Sequence, residues 1–241
     1  MVRLLDGWER ARERKIDFVL QVGDFEPHRD ESDLATMAAP AKYRDLGDFP
    51  AFARGDAAFP WPVYFIGGNH EPYGFLEEMP DGGQVAPNCH FIGRANIVEV
   101  GGLRVAGLSG VWKSELFEQR RPPVSDFATK SNKEWIGWNE GDIEALLDLG
   151  QADVLLVHEW PLEFSSQQRH PANSDAWKWI ELVVASLRPR LVCCGHLHFR
   201  ARAAVRVAGR DVRVECLSKV EAGCDGFAVF EWDGEELREI I

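Results

Sequence analysis

Residues that can bind metal ions follow four apolar segments of the sequence. The segments are 16–22, 63–66, 153–157 and 190–194, and the residues that follow them are Asp24, Asn69 with His70, His158, and His196 with His198, respectively. Carboxylate, amide and imidazole groups, with no cysteine among these residues, suit Mn²⁺, Fe²⁺ or Zn²⁺ rather than a structural zinc held by four thiolates. The pattern therefore predicts a divalent metal site and leaves the choice among these ions open.

The positions of these residues also predict that they lie together. Short, continuous apolar runs separated by helical stretches are typical of strands buried on both faces. In an open α/β sheet, ligands bind at the carboxyl ends of such strands. Glycines precede three of the four sites, at Gly23, Gly67 with Gly68, and Gly195. They permit sharp turns and a close approach of the backbone to a phosphate.

Similar residues elsewhere do not follow apolar runs and are interpreted as structural. The sequence Gly47-Asp48-Phe49 repeats Gly23-Asp24-Phe25, yet no strand precedes it, and it is expected to cap a short helix over 49–54. His28, His90 and His170 are likewise expected to be structural or surface residues.

The segments between the strands predict a mixed α/β sandwich. Helices are expected at 2–15, 139–149 and 174–187, the last with Asn173 or Ser174 as its N-cap and Pro189 after its end. Gly101-Gly102 predicts a hairpin that joins strands 97–100 and 103–108. Antiparallel strands are expected at 203–207, 212–217 and 227–232, with turns at Gly209-Arg210 and Asp233-Gly234.

Composition favours one soluble, cytoplasmic domain over residues 1–241. No run of 18 apolar residues occurs, residues 1–15 are charged where a signal peptide would be apolar, and the five cysteines form no disulfide or zinc pattern. A net charge of −12 argues against broad binding to a nucleic-acid backbone and gives no reason to expect a membrane partner. Five arginines between 200 and 213 are expected to form a solvated face on alternating strands.

Taken in order, these residues resemble the calcineurin-like metallophosphoesterases. That family has five blocks: Asp-x-His, Gly-Asp, Gly-Asn-His-Glu, a lone His and Gly-His-x-His. Four blocks are present here, in Gly23-Asp24, Gly68-Asn69-His70-Glu71, His158 and Gly195-His196-Leu197-His198. The resemblance implies a four-layer fold in which a mixed β-sandwich is flanked by helices.

The chain is more similar still to one branch of that family, the RNA lariat debranching enzymes. The stretches that carry this similarity are Asp33-Leu34, Met37, Pro40, Lys42-Tyr43-Arg44, Gly67 to Glu71, Ala86-Pro87-Asn88, Gly107 to Gly110 and Trp160-Pro161. The first block is absent, which implies a start codon assigned too late and a missing first central strand. Glu159, where the branch usually has Asp, and the lack of a long C-terminal tail also depart from it.

The resemblance implies a binuclear site of Mn, Fe or Zn. Asp24 would bridge the two ions, Asn69, His158 and His196 would complete one site, and His198 would serve the other, which lacks two ligands in this chain. A metal-bound hydroxide would attack phosphorus, and His70 would protonate the leaving alkoxide as the general acid. Glu71 would orient His70 or lie on the surface. The chain is expected to bind one metal well and the second weakly.

Four functions remain open at this point. The chain is a phosphoesterase for a nucleotide, a phosphoprotein or a small diester, or it is an RNA phosphodiesterase that acts on 2′,5′ linkages. In the second case the segment 113–138 would contact RNA through Arg120, Arg121, Lys130 and Lys133, with Trp112, Trp135 and Trp138 stacking on bases. A non-catalytic interaction scaffold and an unrelated α/β protein are the other two.

Overall fold

The computed structural model describes residues 1–159 and 174–240. The helices are α1 (Val2–Arg12), α2 (Glu31–Thr36), α3 (Phe49–Ala53), α4 (Tyr73–Leu76), α5 (Ser114–Phe117), α6 (Glu140–Asp148) and α7 (Ser174–Leu187). The strands are β1 (Val19–Gln21), β2 (Val63–Phe65), β3 (Gly83–Ala86), β4 (Cys89–Phe91), β5 (Ala95–Val100), β6 (Leu103–Leu108), β7 (Val154–Val157), β8 (Leu191–Cys194), β9 (Ala201–Val207), β10 (Arg210–Cys216), β11 (Phe230–Trp232) and β12 (Leu237–Glu239).

The strands form two large sheets and one hairpin. The first sheet has the order β1-β2-β4-β3, with β3 antiparallel to the three parallel strands. The second has the order β5-β6-β7-β8-β10-β9, in which the four central strands are parallel and the two edge strands antiparallel. Strands β11 and β12 pair only with each other. Parallel neighbours bring the carboxyl ends of β7 and β8, and of β1 and β2, to common edges.

Alternate residues of each sheet enter different cores, as the two-residue period of a strand requires. In β7, Leu155 and Val157 pack in one cluster with Ile180 and Val184 of α7, whereas Leu156 packs in a second cluster with Ile66 and Ile92 of the first sheet. The opposite face of the first sheet packs in a third cluster against residues of α3 and α4. The two sheets therefore lie face to face with helices outside them, which confirms the predicted mixed α/β fold.

Most predicted elements are present with shifted ends. Helix α6 begins with a capping box in which the Asn139 side chain accepts from the N–H of Asp142 and the Asp142 carboxylate accepts from the N–H of Asn139. The hairpin at Gly101-Gly102 is formed as predicted. Asp48 lies at the N-cap position of α3, although its side chain makes no capping hydrogen bond. The alternative N-cap of α7, Asn173, lies outside the described residues.

One strand prediction is wrong in an informative way. Segment 16–22 was expected to be a strand buried on both faces, but β1 covers only Val19–Gln21 and all three residues are partly exposed. The reason is that β1 forms an edge of its sheet and has a partner, β2, on one side only. The strand predicted at 227–232 also begins later, at Phe230, because the chain makes 3-10 turns over 220–226.

Within the described residues, no helix combines the length and the apolarity that crossing a lipid bilayer requires. All five cysteines are free thiols, and Cys224 is the exposed one.

Candidate metal centre

The structure brings together three of the predicted metal ligands. Asp24 follows β1, His158 follows β7 and His196 follows β8, so the two large sheets contribute to one site. One ligand atom from each of these residues lies within 4.8 Å of the others. A carboxylate and two imidazoles at this separation can bind a single cation.

His158 lies at the centre of the cluster. Its Nε2 is 3.3 Å from Oδ2 of Asp24 and 3.1 Å from Nδ1 of His196. Its Nδ1 lies 2.7 Å from the carbonyl oxygen of Val22, to which it can donate a hydrogen bond. Such a bond fixes the ring orientation and leaves Nε2 available as the ligand, which is the usual arrangement of a metal-binding histidine. The sequence contained no signal for this contribution from the backbone of Val22.

Burial and neighbouring charges shift the pKa values of the three residues in different directions. Burial opposes the charged form of His158, but the Asp24 carboxylate outweighs it and raises the pKa of His158 to about 9. Burial likewise opposes the charge of Asp24, but His158 outweighs that effect and the pKa of Asp24 falls below its usual value. Burial and the nearby charge of His158 lower the pKa of His196 to about 4. The cluster thus places positive charge next to Asp24, where a cation would take the place of the proton.

Glycines are required where the loops of the site touch. A Cβ atom at Gly68 would lie 2.2 Å from Oδ1 of Asp24 and 2.8 Å from Cε1 of His158. A Cβ atom at Gly23, where φ is 96°, would lie 2.5 Å from Nδ1 of His158. The glycines therefore allow close contact among the site's own loops, rather than with a phosphate alone as the sequence suggested.

Three non-glycine residues of the predicted site have left-handed backbones. The φ angles are 54° at Asp24, 67° at His196 and 58° at His198. Such conformations cost energy for side chains with a Cβ atom and cluster at functional sites, where surrounding structure enforces them. At Asp24, the N–H of His70 donates to Oδ1 at 2.9 Å and fixes the carboxylate.

Asn69 provides the test of whether a metal fits here. Its Oδ1 is buried and has no hydrogen-bond partner among the described residues. A buried amide oxygen without a partner is costly, and a bound cation would satisfy it. Together with a carboxylate and two imidazoles, this oxygen completes a donor set that suits Mn²⁺, Fe²⁺ or Zn²⁺. The residues present therefore fit a divalent cation.

Glu71 is not a surface residue. Its side chain is fully buried and accepts hydrogen bonds from the backbone N–H groups of Gly68, Phe25 and Glu26 at 3.2, 2.9 and 2.8 Å. Burial and the charge of Asp24 raise the pKa of Glu71 to about 7, and the backbone donors oppose that shift. Glu71 joins the loops after β1 and β2, so its role is to fix the backbone rather than to contact His70.

Glu26 is the group that contacts the imidazole of His70. Oε1 of Glu26 lies 3.3 Å from Nδ1 of His70, and both side chains are about one-third exposed, at 34% and 33%. The hydrogen bond with Glu26 raises the pKa of His70, whereas burial lowers it. Sequence reasoning missed Glu26, because a glutamate two residues after Asp24 has no feature that distinguishes it from a surface residue.

His198 lies apart from the three-residue cluster. It is exposed, and its charge is among the influences that lower the pKa of His196, so the two imidazoles are near each other. Next to His158, the buried Glu159 accepts a hydrogen bond of 2.5 Å from the N–H of Trp112. This contact ties the loop after β7 to Trp112, which directly precedes the segment 113–138.

Two tryptophans of the segment 113–138 cannot stack on bases as the sequence predicted. Trp135 and Trp138 have no exposed surface, so neither ring can stack on a base. Trp112 is half-buried and packs on Phe117 and Trp138.

The predicted basic residues of the segment divide into two groups. Arg121 is mostly buried and pairs with Asp142 at 2.5 Å, whereas Arg120, Lys130 and Lys133 are exposed. The arginines between 200 and 213 were expected to form a solvated face. Arg202 and Arg206 are exposed as predicted, whereas Arg200 is mostly buried. Arg200, Arg202 and Arg213 also form ion pairs with Glu215, which is fully buried, and with Glu239.

His28 and His90 lie outside the three-residue cluster. His28 is fully buried, and His90 stacks on Tyr64 with ring centroids 5.1 Å apart. His170 and the Trp160-Pro161 pair lie outside the described residues.

A cavity of about 1680 Å³ runs along the open edge of β1 to the cluster. Residues that face it include Leu20 of β1, Leu103, Val154 and Leu191 of the second sheet, and Asp24 and His196 of the cluster. The N–H of Val19 donates to the carbonyl of Pro62, and the carbonyl of Gln21 accepts from the N–H of Ile66, at the two ends of β2. The backbone N–H and C=O of Leu20, between them, therefore point away from β2, toward the cavity. The volume exceeds that of ordinary small-molecule pockets.

Comparison with known proteins places these features in context. The sequence profile described as "Calcineurin-like phosphoesterase" matches residues 2–200. The lariat debranching enzyme of Schizosaccharomyces pombe is 31% identical over 239 residues, covering 91% of this chain and 51% of the relative. The lariat debranching enzyme of Drosophila melanogaster is 38% identical over 219 residues, covering 83% of this chain and 40% of the relative.

The chain thus spans about half the length of these curated relatives. A solved crystal structure superimposes with a TM-score of 0.52 at 14% sequence identity, covering 91% of this chain and 85% of the other. At that identity the likeness concerns the fold alone, and it agrees with two face-to-face sheets flanked by helices.

Proposed function

This chain belongs to the calcineurin-like phosphoesterase family, and from this premise we propose that it is a metal-dependent phosphodiesterase that hydrolyses 2′,5′ linkages in RNA. The observations that carry the proposal are the cluster of Asp24, His158 and His196 and the buried, unpartnered oxygen of Asn69. The substrate is taken from the relatives, several of which are named lariat debranching enzymes.

Asp24, Asn69, His158 and His196 would bind the cation. When bound, a divalent cation lowers the pKa of a water ligand and neutralises charge on the phosphoryl oxygens. The protein's own part is to keep these donors in place. Val22 orients His158 through its carbonyl, and the N–H of His70 orients Asp24.

His70 would act as the general acid. Its pKa is raised, with the hydrogen bond to Glu26 as the main cause, so it retains a proton closer to neutral pH than an ordinary histidine does. A proton held beside the cation cluster is available for the alkoxide that leaves phosphorus. Glu26 positions that imidazole through Nδ1, which leaves Nε2 for the substrate.

A second cation would bind more weakly. Asp24 could also serve a second cation, but His198 is the single further donor that we assign to this second position, and it lies outside the cluster of the described residues. We propose that a further strand beside β1 supplies the remaining ligands. The cavity along the open edge of β1 supports this proposal, because it has room for an extended segment that ends at Asp24.

Metal stoichiometry tests the second site. The chain of 241 residues and a form extended upstream in the genomic reading frame are loaded with Mn²⁺, Fe²⁺ or Zn²⁺ and passed over a desalting column. We expect about one retained ion for the chain as it stands and two for the extended form. Two tightly held ions in the shorter chain would contradict the incomplete second site.

Substrate preference tests the reaction. Three probes separate the candidates: a chromogenic aryl phosphodiester, a 2′,5′-linked dinucleotide and its 3′,5′-linked isomer. We expect metal-dependent hydrolysis of the first two and little of the third. Hydrolysis of the aryl diester alone would leave a phosphoesterase with another substrate, such as a nucleotide or a phosphoprotein.

If neither the chain of 241 residues nor its extended form were active, a non-catalytic interaction scaffold would be favoured. The intact cluster and the family match do not favour that alternative. A cytoplasmic location and a single domain over 1–241 stay predictions.

A further inference from the structure

Tyr43 is an exposed aromatic residue in a chain that buries aromatic side chains. Among the described residues, the large hydrophobic side chains that remain exposed are Tyr43 at 56%, Leu182 at 44% and Val220 at 37%. Tyr43 is the one aromatic ring in that group. It ends a 3-10 turn over Ala41–Tyr43, and Nζ of Lys42 lies 4.6 Å from its ring centroid.

Partly buried hydrogen bonds attach this turn to a second basic turn. The guanidinium of Arg44 donates to the carbonyl oxygens of Ala39 and Met37 at 2.9 and 3.2 Å. The amide of Asn132 donates to the same carbonyl of Met37 at 3.0 Å, and Met37 has no exposed surface. The turns at 41–44 and 130–133 are therefore both attached to the carbonyl of Met37, and we group their exposed residues as the Tyr43 patch: Lys42, Tyr43, Lys130 and Lys133.

The charge of the Tyr43 patch contrasts with that of the whole chain. The net charge is −12, yet three of the four residues of the patch are exposed lysines. Lys130 pairs with Glu134 at 3.2 Å. Lys42 and Lys133 form no ion pair within the described parts of the chain. Two lysines thus remain available for an anionic partner beside an exposed ring.

The chain leads directly from the Tyr43 patch to the cavity at the cluster. Residues 45–48 follow Tyr43 and Arg44 directly, and they face the same cavity as Asp24, Glu26 and His70. A chain molecule with its scissile bond at the cluster would therefore extend past 45–48 to the patch. Protein partners are disfavoured, because lysine is depleted from the centres of protein interfaces.

We propose that the Tyr43 patch binds the single-stranded nucleic acid that flanks the scissile linkage. The ring of Tyr43 stacks on a base, and the ammonium groups of Lys42 and Lys133 contact phosphates. This inference rests on the proposed RNA phosphodiesterase function and adds to it a second point of contact away from the metal. It also supplies the stacking group that buried Trp135 and Trp138 cannot provide.

The test compares substrates that differ in length. The metal-loaded chain is given 2′,5′-linked oligonucleotides that carry no flanking nucleotides or several on one side. We expect Tyr43→Ala to raise KM for the long substrates about tenfold, the typical effect of one lost base stack, without changing kcat or KM for the dinucleotide. Tyr43→Trp should restore the wild-type KM. Leu182→Ala, at another exposed apolar residue, should change nothing.

Binding without cleavage separates this proposal from the proposed function. Fluorescence anisotropy measures the affinity of a labelled single strand that has no 2′,5′ linkage. Tyr43→Ala should weaken that binding about tenfold, and Lys42→Gln should reduce the slope of log affinity against log salt by about 1. These results would support the patch even if no diester were hydrolysed.

Three results would overturn the patch proposal. The first is that the wild-type chain does not bind single strands. The second is that Tyr43→Ala binds them as tightly as the wild type. The third is that Tyr43→Ala raises KM equally for the dinucleotide and the long substrates. Hydrolysis of the dinucleotide together with any of these would leave the proposed function standing.

Discussion

The two sides of the metal centre are built by different means. His158 and His196 follow β7 and β8, whose residues are buried at every position and which have neighbouring strands on both sides. Asp24 follows β1, a partly exposed strand of three residues at the edge of its sheet, with a cavity beside it. The closed side is fixed by apolar packing, and the open side needs another source of rigidity.

Hydrogen bonds between loops supply it. Glu71 accepts from the backbone of both the β1 and the β2 loops, and the hydroxyl of Tyr73 donates to the carbonyl of Gly68 at 2.6 Å. Buried hydrogen bonds are strong only while every partner is present, because an unpaired buried group is costly. The open side should therefore respond to loss of polar groups, and the closed side to loss of apolar volume.

Replacing His158, which joins the two sides, should have the largest effect on metal affinity and turnover. His158 contacts Val22 and Asp24 of the open side and His196 of the closed side. In His158→Ala we expect metal affinity and turnover to fall by more than about 100-fold, since even indirect partners of metal ligands are worth 10- to 100-fold. Calorimetric metal titration and hydrolysis of an aryl diester measure both quantities.

His90→Ala is the matched control for that variant. It removes an imidazole that stacks on Tyr64 and lies outside the cluster. Metal affinity close to that of the wild type is expected for the control. Equal losses in the two variants would show that the effect of His158→Ala is general destabilisation.

A second variant separates proton transfer from metal binding. In His70→Gln we expect kcat to fall about 10²- to 10⁴-fold, the usual worth of a general acid, while metal affinity stays the same. The backbone N–H that donates to Asp24 remains in this variant. An aryl diester, whose leaving group needs no proton, should lose much less than a ribonucleotide diester. Equal losses for both substrates would contradict the role of His70 as the acid.

The difference between the two sides explains what the sequence could predict. Continuous apolar runs identify β7 and β8, and the residues predicted as ligands after them, His158 and His196, do lie in one cluster with Asp24. Ligand identity on the open side was also visible, because Gly23-Asp24 and Gly68-Asn69-His70 follow apolar segments. Hydrophobic periodicity and the order of motifs along the chain are local properties, so they can be recognised in the sequence without knowledge of the fold.

The contacts that fix the open side could not be predicted. Glu71 and Glu26 are charged residues that would ordinarily be assigned to the surface, and the interactions of Glu71 span 46 positions along the chain to Phe25. The partial exposure of β1 was missed because the sequence does not show which strand forms a sheet edge. Trp135 and Trp138 were predicted to stack on bases although the fold buries them, because residue type alone does not show burial.

Truncating apolar side chains should distinguish the two sides by stability. Leu156 of β7 is fully buried between the sheets, so Leu156→Ala is expected to lower the free energy of unfolding by about 2–5 kcal/mol. Leu20 of β1 faces the cavity and is partly exposed, so Leu20→Ala should cost less than about 1.5 kcal/mol. Urea denaturation of both variants measures the difference. Equal costs would mean that β1 is packed as tightly as β7.

The smallest expected effect is on the pH dependence of activity, through the hydrogen bond between Glu26 and His70 on the open side. The hydrogen bond with Glu26 is the main cause that raises the pKa of His70. A general acid works while protonated, so activity is lost as pH rises through that pKa, and a raised value extends activity to higher pH. Glu26→Gln removes the negative charge, and the alkaline limb of kcat/KM should move to lower pH. Glu31→Gln, at an exposed glutamate of α2, should leave the limb in place. An unmoved limb in Glu26→Gln would show that the hydrogen bond to Glu26 does not control the acid.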